Sequence, residues 1–272
     1  MYITIMNRLI KQTGDISKRK LFIIQRFQSN IKGKKYKPSI ISKHCGAEGH
    51  WLETNMGIAP NADNKPDLLG FEQKKNSNKI TWGDWSASAY LFSKQKKRDK
   101  VHMTTPAMKR GDFIRTFGTP NPKKDGRFSW SGKCFPKYGE HWNNCGQRLL
   151  FDASDNLRIE YSFKEDQRDY KGGFPDFIKN QPIVIAFWER SKLEDHVNNK
   201  FNQNGFYLLK KNEEGIYTNI CFGPPIQFDT FKAHLKSGAA ILDSGIYEGN
   251  ARNYSSFRSG NSSWKELVTE EY

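Results

Sequence analysis

Two carboxylates and a lysine lie close together in the stretch PDLLGFEQKK, at residues 66–75. Asp67 and Glu72 flank apolar residues that are typical of a strand entering a core, and Lys74 follows Glu72 by two positions. Charged groups in such a context are costly to desolvate, so they need an ion partner, a metal or a catalytic role. Residues two apart on a strand point to the same face, which places Glu72 and Lys74 side by side.

This cluster predicts metal-dependent attack on a phosphodiester. Two converging carboxylates bind a hard divalent cation such as Mg²⁺ through oxygen, with Mn²⁺ as a substitute. An ammonium beside them would orient or deprotonate a water for in-line attack. We therefore predict Asp67 and Glu72 as metal ligands and Lys74 as the water-positioning residue. The alternative is a surface hairpin in which Glu72 and Lys74 form an ordinary salt bridge.

The charge of the chain favours a polyanionic partner. Its 272 residues include 44 Lys and Arg against 29 Asp and Glu, a formal net charge of +15, and 14% are aromatic. A chain of this length buries a sizeable core, and its aromatic content excludes a disordered polycation. Nucleic acid is therefore the first candidate partner, and an anionic membrane surface is the second.

Targeting signals and cysteine usage favour a cytoplasmic protein. No stretch approaches the ~18 apolar residues of a membrane span. Residues 1–20 lack the apolar core of a secretion signal, which leaves a basic amphipathic targeting peptide as the alternative. The four cysteines are scattered, which indicates reduced thiols. Cys134, His141 and Cys145 can be drawn as zinc ligands, but they contain no CxxC pair, and unliganded thiols are the other interpretation.

Local patterns predict the elements around the cluster. EGHWLETN predicts a short helix that ends near Gly57, followed by a loop. The other predicted elements are a helix in residues 21–27, a buried strand in 182–189, a hairpin around Asn204, a helix in 228–238 with Asp229 as its N-cap, and a strand in 239–247.

The stretch GHWLETNMGIAPNADNKPDLLGFEQKK (residues 49–75) resembles the active-site region of PD-(D/E)xK nucleases of the MutH, MvaI and BcnI group. That group has a helix with a Leu-Glu pair, a glycine, a loop, and then Asp-x4-Glu-x-Lys on a hairpin. The resemblance implies that Asp67 and Glu72 are metal ligands and that Lys74 positions the water. It adds Glu53 on the helix as an accessory carboxylate that completes the metal site or holds Lys74.

A second similarity lies near the C-terminal end, where ILDSGIYEGNARNYSSFR (residues 241–258) follows the order of the same group's recognition half. The Phe-Arg pair ending at Arg258 matches the group, whereas the His-Asp pair of its preceding loop is absent. The roles of Arg252, Asn253 and Tyr254 therefore stay open. Arginine and asparagine bond bidentately to guanine and adenine, so base reading from a two-stranded ribbon in the major groove is one interpretation. Phosphate contact or simple solvation is the other.

The resemblance implies an α/β fold of the PD-(D/E)xK, restriction endonuclease-like type: a mixed sheet flanked by helices, with two lobes around a DNA cleft. We expect a basic N-terminal segment in residues 1–40, a catalytic lobe in 41–110 and a DNA-recognition lobe in 111–272. Residues 100–180 match nothing in that group.

The implied function is that of a Mg²⁺-dependent type II restriction endonuclease, similar to the LlaMI type, whose family specificity is CCNGG. We expect it to act on double-stranded DNA as a monomer rather than a homodimer. The alternatives are a MutH-like nicking endonuclease of mismatch repair and a non-catalytic DNA-binding module.

Overall fold

The computed structural model describes residues 15–38, 46–59, 63–171 and 173–272. Much of the predicted basic segment at 1–40, including most of the alternative targeting peptide, lies outside these residues. Across the described ranges, no helix combines the length and the apolar composition that a membrane crossing requires.

Helices and strands are mixed along the described part of the chain, which confirms the predicted α/β class. Seven α-helices are present there: α1 (Ile16–Asn30), α2 (Ala47–Met56), α3 (Gln95–Asp99), α4 (Arg110–Phe117), α5 (Arg190–Phe201), α6 (Phe228–Lys236) and α7 (Asn261–Glu266). Short 3-10 helices lie at Pro122–Lys124, Gly132–Cys134 and Asp176–Ile178. The strands are β1 (Glu72–Lys75), β2 (Lys79–Asp84), β3 (Ala89–Tyr90), β4 (Thr119–Asn121), β5 (Arg127–Trp130), β6 (Cys145–Phe151), β7 (Leu157–Asp166), β8 (Ile183–Trp188), β9 (Phe206–Lys211), β10 (Tyr217–Gly223), β11 (Ala240–Ser244), β12 (Ile246–Tyr247), β13 (Ser255–Gly260) and β14 (Glu270–Glu271).

The chain divides into two compact units. Unit 1 consists of Met1–Ile80, Val197–Gln227 and Gly260–Tyr272, and unit 2 consists of Thr81–His196 and Phe228–Ser259. Each unit therefore brings together stretches that are far apart in sequence. The assignment of catalysis to residues 41–110 and of recognition to 111–272 stays a prediction.

Unit 1 is built on a four-stranded mixed sheet in the order β1-β9-β10-β14. β1 runs parallel to β9, with Glu72 opposite Phe206, whereas β9 and β10 are antiparallel. Helices α1 and α2 contribute apolar residues to one core with this sheet, including Phe27, Leu52 and Phe222, all fully buried. The sheet therefore has helices against its apolar face, and its first strand carries Glu72 and Lys74.

Capping signals set the ends of these two helices. The side chain of Asp15 accepts a hydrogen bond from the backbone N–H of Ser17 at 2.9 Å, which begins α1. Helix α2 ends as predicted at Gly57, whose φ of 77° is the left-handed conformation that favours glycine. The predicted helices at 21–27 and at the EGHWLETN stretch are both confirmed.

Glu48, in the first turn of α2, anchors this helix to the sheet. Its carboxylate accepts hydrogen bonds from Lys75 at 2.8 Å and from Lys211 and Tyr217 at 2.9 Å each. Burial by itself would raise the pKa of Glu48, but these three bonds outweigh it and lower the pKa to about 2. The helix that carries Glu53 is thereby fixed to β1, β9 and β10.

This anchor predicts an acid-sensitive contribution to stability. A carboxylate whose folded-state pKa is depressed stabilises the fold above its ordinary value of 4.5, and the contribution is lost as the pH falls toward about 2. We expect Glu48→Gln to lower the urea midpoint of unfolding near neutral pH. The difference in midpoint between the variant and the wild type should become smaller in acid. Urea unfolding of both proteins at about pH 6 and about pH 3 measures this. A difference in midpoint between the two proteins that stays constant between these pH values would contradict the stabilising role of the Glu48 carboxylate.

Unit 2 contains three sheets, in the orders β3-β8-β7-β6, β12-β5-β4 and β11-β13-β2. The predicted strand at 182–189 is confirmed as β8, which pairs with β7 on one side and β3 on the other. The predicted helix at 228–238 is confirmed as α6, although it begins at Phe228, so Asp229 lies within the first turn rather than at the N-cap. The predicted strand at 239–247 forms β11 and β12.

Two predicted strand pairings are wrong. Residues 200–211 do not form a hairpin, because Lys200 and Phe201 end α5 and only β9 follows. Leu193, Val197 and Phe201 are buried at four-residue intervals, and this helical period outweighs the Asn-Gly turn signal. The strands on either side of the loop of Arg252, β12 and β13, do not pair with each other, because β12 pairs with β5 whereas β13 pairs with β11.

Candidate active site

A tight turn brings Asp67 next to the start of β1. Leu68 and Phe71 exchange two backbone hydrogen bonds, of 3.0 and 2.9 Å. The two residues between them have positive φ, 52° at Leu69 and 85° at Gly70, as a type I′ turn requires. Gly70 therefore helps to turn the chain between Asp67 and Glu72.

Asn204 holds this turn in place. Its Nδ2 donates to the carbonyl oxygen of Leu69 at 2.8 Å, and its backbone N–H donates to that of Gly70 at 3.0 Å. A Cβ atom added at Gly70 would lie 2.5 Å from Asn204 Nδ2, so the clamp requires glycine. The residue that the sequence suggested as a hairpin turn therefore fixes the spacing between Asp67 and Glu72.

The two predicted carboxylates converge in a buried site. Asp67 Oδ2 accepts a hydrogen bond of 2.8 Å from the backbone N–H of Gln73. Glu72 is 4% exposed, and its Oε1 lies 2.8 Å from Lys74 Nζ and 3.1 Å from Lys200 Nζ. The ordinary surface salt bridge is thus excluded for Glu72 and Lys74, because both side chains are buried.

Lys74 is enclosed by aromatic rings. Its Nζ lies 5.1 Å from the ring centroid of Phe201 and 5.5 Å from that of Trp264, within the range of cation–π attraction. Burial lowers the pKa of Lys74, and the positive charge of Lys200 lowers it further, while Glu72 opposes both effects. A lysine in such a setting can release and accept a proton, which an exposed lysine at neutral pH does rarely.

Burial lowers the pKa of Lys74 but raises the pKa of Asp67. Desolvation, and then the negative charge of Glu72, raise the pKa of Asp67 to about 7. Tyr207 lies beside the site and donates to the side chain of Gln73 at 2.8 Å. Burial raises the pKa of Tyr207, and the charges of Asp67 and Glu72 raise it further. Asp67 and Glu72 therefore lie close enough to repel each other where water is scarce.

The residues fit a divalent cation. Glu72 Oε2 is fully buried, and within the described residues no hydrogen-bond donor reaches it. An unsatisfied buried carboxylate oxygen is costly, and Asp67 adds a second carboxylate to the same site. Oxygen donors of this kind are the ligands that Mg²⁺ and Mn²⁺ take.

Glu53 lies at the edge of this group. Its carboxylate is 3.2 Å from His50 Nδ1, one turn away on α2. Its charge, like those of Asp67 and Glu72, raises the pKa of Tyr207. In the part of the chain that the structure describes, no three His, Cys, Asp or Glu side chains are grouped closely enough to hold a metal. The role of Glu53 as a ligand stays a prediction.

Lys200 is a site residue that the sequence did not suggest. It is separated from Glu72 by more than a hundred positions, and the parallel pairing of β1 with β9 brings the end of α5 to the site. A helical interpretation of residues 190–201 would have placed Lys200 next to β9. The local sequence contains no signal for its pairing with Glu72.

The predicted recognition residues lie in unit 2. Arg252, Asn253 and Tyr254 share one loop between β12 and β13, and Arg258 lies on β13. Arg252 is 66% exposed at its side chain, and its guanidinium lies 4.3 Å from the ring centroid of Tyr254. Arg258 pairs with Asp243 at 3.1 Å.

Arg110 and Asp84 fix this loop. Arg110 Nε donates to Asn253 Oδ1 at 3.0 Å. Asp84 accepts hydrogen bonds from Arg252 Nη2 at 3.3 Å and from the backbone N–H of Ser255 at 2.7 Å. Sequence reasoning missed Arg110 and Asp84, since both bonds join positions that are more than a hundred residues apart.

The zinc interpretation is not supported. Cys134 and Cys145 are buried free thiols, and Cys134 Sγ donates to the carbonyl oxygen of Ser131 at 3.2 Å. Neither forms a metal-binding group with His141 or any other residue that the structure describes.

Comparisons with known proteins identify similar sequences and a similar structure. The sequence model of the LlaMI restriction endonuclease family matches residues 31–272. The chain is 39% identical over 264 residues to the type II restriction enzyme ScrFI of Lactococcus lactis subsp. cremoris, covering 91% of this chain and 96% of that enzyme. It also resembles the structure of the MvaI restriction endonuclease with its cognate DNA substrate.

That structural match has a TM-score of 0.56 at 13% identity and covers 91% of this chain and 95% of MvaI. At this identity the likeness shows the fold alone, and it confirms the predicted restriction endonuclease-like fold. The match of the family model over most of the chain, together with the identity to ScrFI, shows the family and the enzyme class. The chain therefore belongs to the LlaMI restriction endonuclease family of type II site-specific deoxyribonucleases.

Proposed function

We propose that this enzyme cleaves both strands of double-stranded DNA in a Mg²⁺-dependent reaction at a G·C-rich site such as CCNGG. The observation that carries the proposal is the buried group of Asp67, Glu72 and Lys74, with Glu72 Oε2 unsatisfied within the described residues. Mn²⁺ substitutes for Mg²⁺ because both take oxygen ligands in octahedral geometry. The enzyme acts as a monomer.

Asp67 and Glu72 hold the cation, and Glu53 assists at its edge. The bound cation supplies Lewis-acid stabilisation of the charge that develops on the phosphodiester. Lys74 orients the attacking water and accepts its proton, for which a lowered pKa is suited. Glu72 Oε1 keeps Lys74 in position through their 2.8 Å contact.

Base reading is assigned to the loop of Arg252, Asn253 and Tyr254, with Arg258 beside it. Arg252 is exposed and stacked on Tyr254, which supports a side chain presented to a groove. Arginine matches the O6 and N7 acceptors of guanine, so a site rich in G·C pairs suits two arginines. Arg110 restricts the orientation of Asn253 through its bond to Oδ1.

Cleavage of a supercoiled plasmid with one CCNGG site tests the proposed reaction. We expect linear product with Mg²⁺ or Mn²⁺ and intact plasmid when a chelator is present. Accumulation of nicked circles without linear product would identify the MutH-like alternative. Intact plasmid with every divalent cation would identify the non-catalytic module.

Arg252→Ala and Arg258→Ala test base reading. We expect each to weaken binding to a cognate duplex by roughly 1–3 kcal/mol more than to a scrambled duplex. Fluorescence anisotropy at fixed salt, in chelator so that no cutting occurs, measures both affinities. Equal loss on the two duplexes would instead assign these arginines to phosphates.

A further inference from the structure

A cavity of about 510 Å³ in unit 2 is lined mainly by lysines. Its lining consists of Ser86, Ala87, Ser88, Lys94, Lys96, Lys97, Lys100, Glu189 and Lys192. The one carboxylate among these described residues, Glu189, is paired with Lys192. The remaining four lysines give the cavity a strong positive potential that favours an anionic ligand.

The charge run QKKRDK (residues 95–100) separates into two faces. Arg98 is buried, and its guanidinium donates to Gln95 Oε1 at 3.1 Å and to the carbonyl oxygen of Met103 at 3.4 Å. Asp99 accepts from Gln95 Nε2 at 2.6 Å and does not line the cavity. The arginine therefore supports the fold of the run, whereas the lysines are exposed to the cavity.

The chemistry of the lining selects a phosphate backbone rather than a base. The described lining residues include no aromatic ring on which a base could stack and no arginine fork for bidentate base contacts. Lysine ammoniums are point charges that bind phosphate oxygens with little demand on orientation. A row of them suits successive phosphates of a nucleic acid strand.

The wall of the cavity is continuous with the proposed recognition loop. Ser86 Oγ donates to the carbonyl oxygen of Asn253 at 2.7 Å, and Asp84, two residues earlier, bonds to Arg252. Ser88 Oγ accepts from the backbone N–H of Glu189 at 3.1 Å. The segment from Asp84 to Ser88 therefore joins the lysine cavity to the loop assigned to base reading.

We infer that this cavity binds the phosphate backbone of the same DNA duplex that the loop of Arg252 reads. The inference rests on the proposed function, because it requires the chain to bind duplex DNA. Its contribution is independent of sequence, since lysines contact phosphates alone. It holds the duplex in register while the loop samples base edges.

The triple variant Lys94→Gln, Lys96→Gln, Lys97→Gln tests the inference. Glutamine keeps the length and helix propensity of lysine, so α3 and the buried Arg98 stay in place. Affinity for cognate and scrambled duplexes is measured by anisotropy in chelator between ~50 and ~200 mM salt. We expect the log–log salt slope to become shallower by about 0.9 for each phosphate that the variant no longer binds, and affinity to fall equally on both duplexes.

A matched control removes three other exposed lysines of unit 2 that do not line the cavity, in the variant Lys123→Gln, Lys124→Gln, Lys133→Gln. We expect its salt slope to stay close to that of the wild type. An equal change in the two variants would overturn the inference, because the effect would then come from net charge. So would an unchanged slope in the cavity variant, or a loss confined to the cognate duplex.

Failure of the proposed function gives a different result. In that case the wild-type protein itself shows no salt-dependent binding to either duplex, and both assignments fall together. If the wild type binds and cuts but the cavity variant behaves like it, the proposed function stands and the cavity inference alone is overturned.

Discussion

Asp67→Asn is expected to abolish DNA cleavage while leaving DNA binding intact and making the metal-free protein more stable. The substitution removes one of the two carboxylates assigned to the cation, and it touches no residue assigned to DNA. Loss of even an outer partner of a metal ligand costs roughly 10–100-fold, so loss of a ligand should cost more than that. Plasmid cleavage over a Mg²⁺ titration measures the loss.

The gain in stability follows from the pKa of Asp67. Burial, together with the charge of Glu72, raises that pKa from 3.8 to about 7, so the folded protein holds the proton more tightly than the unfolded chain does. The neutral carboxyl is therefore tolerated at low pH, and stability is lost as the pH rises from about 4 to about 7. Asparagine is neutral throughout this range.

At about pH 8 the metal-free variant should exceed the wild type in stability by up to about 4 kcal/mol, since each pKa unit corresponds to 1.36 kcal/mol. Urea unfolding in chelator measures the difference, and it should shrink toward about pH 4. A variant that cuts DNA at the wild-type rate would contradict the metal assignment. A variant that is no more stable at about pH 8 would contradict the electrostatic account of the site.

In unit 1, local sequence patterns predict the features whose geometry is set by neighbouring residues. The cluster of Asp67, Glu72 and Lys74 was predicted because its geometry depends on one turn and one strand, where spacing alone fixes the side-chain directions. Helix α2 was predicted for a similar reason, since its end is set by Gly57. Each of these features is decided within a few residues of itself.

Lys200 and Asn204 were missed because their partners are distant in sequence. Asn204 clamps the turn at Leu69 and Gly70, and Lys200 contacts Glu72, only because β9 pairs in parallel with β1. Parallel pairing needs a long connection, and its register cannot be deduced from either strand by itself. The Asn-Gly pair of residues 204–205 is a strong local hairpin signal, but tertiary packing of α5 overrode it.

The strands that flank the recognition loop do not form the predicted ribbon, for a related reason. Ile246 pairs with Trp130 on β5, and Ser255 pairs with Ser244 on β11, so the two flanking strands enter different sheets. Alternation of apolar and polar residues and turn signals identify strands but not their partners. The loop is held instead by hydrogen bonds to Arg110 and Asp84. Local sequence patterns do not indicate hydrogen bonds between such distant positions.

The two lysines beside Glu72 should separate chemistry from charge balance. Both lie within about 3 Å of Glu72 Oε1, at 2.8 Å for Lys74 and 3.1 Å for Lys200. Only Lys74 belongs to the motif, and its ammonium lies over the rings of Phe201 and Trp264. Replacing either lysine with methionine removes one positive charge from beside the ligand Glu72 and keeps most of the side-chain volume.

Both variants, Lys74→Met and Lys200→Met, should therefore bind Mn²⁺ at least as tightly as the wild type, because a cation next to a metal ligand opposes a second cation. Cleavage should differ between them. Lys74→Met should lose roughly 10²–10⁴-fold in rate, the range for removing a group that transfers a proton in the transition state. Lys200→Met should lose far less, since Lys74 continues to hold Glu72.

Calorimetric Mn²⁺ titration without DNA and single-turnover cleavage with saturating metal give the two readouts. If both variants lose activity equally while binding Mn²⁺, the two lysines act together on Glu72, and the water cannot be assigned to Lys74 alone.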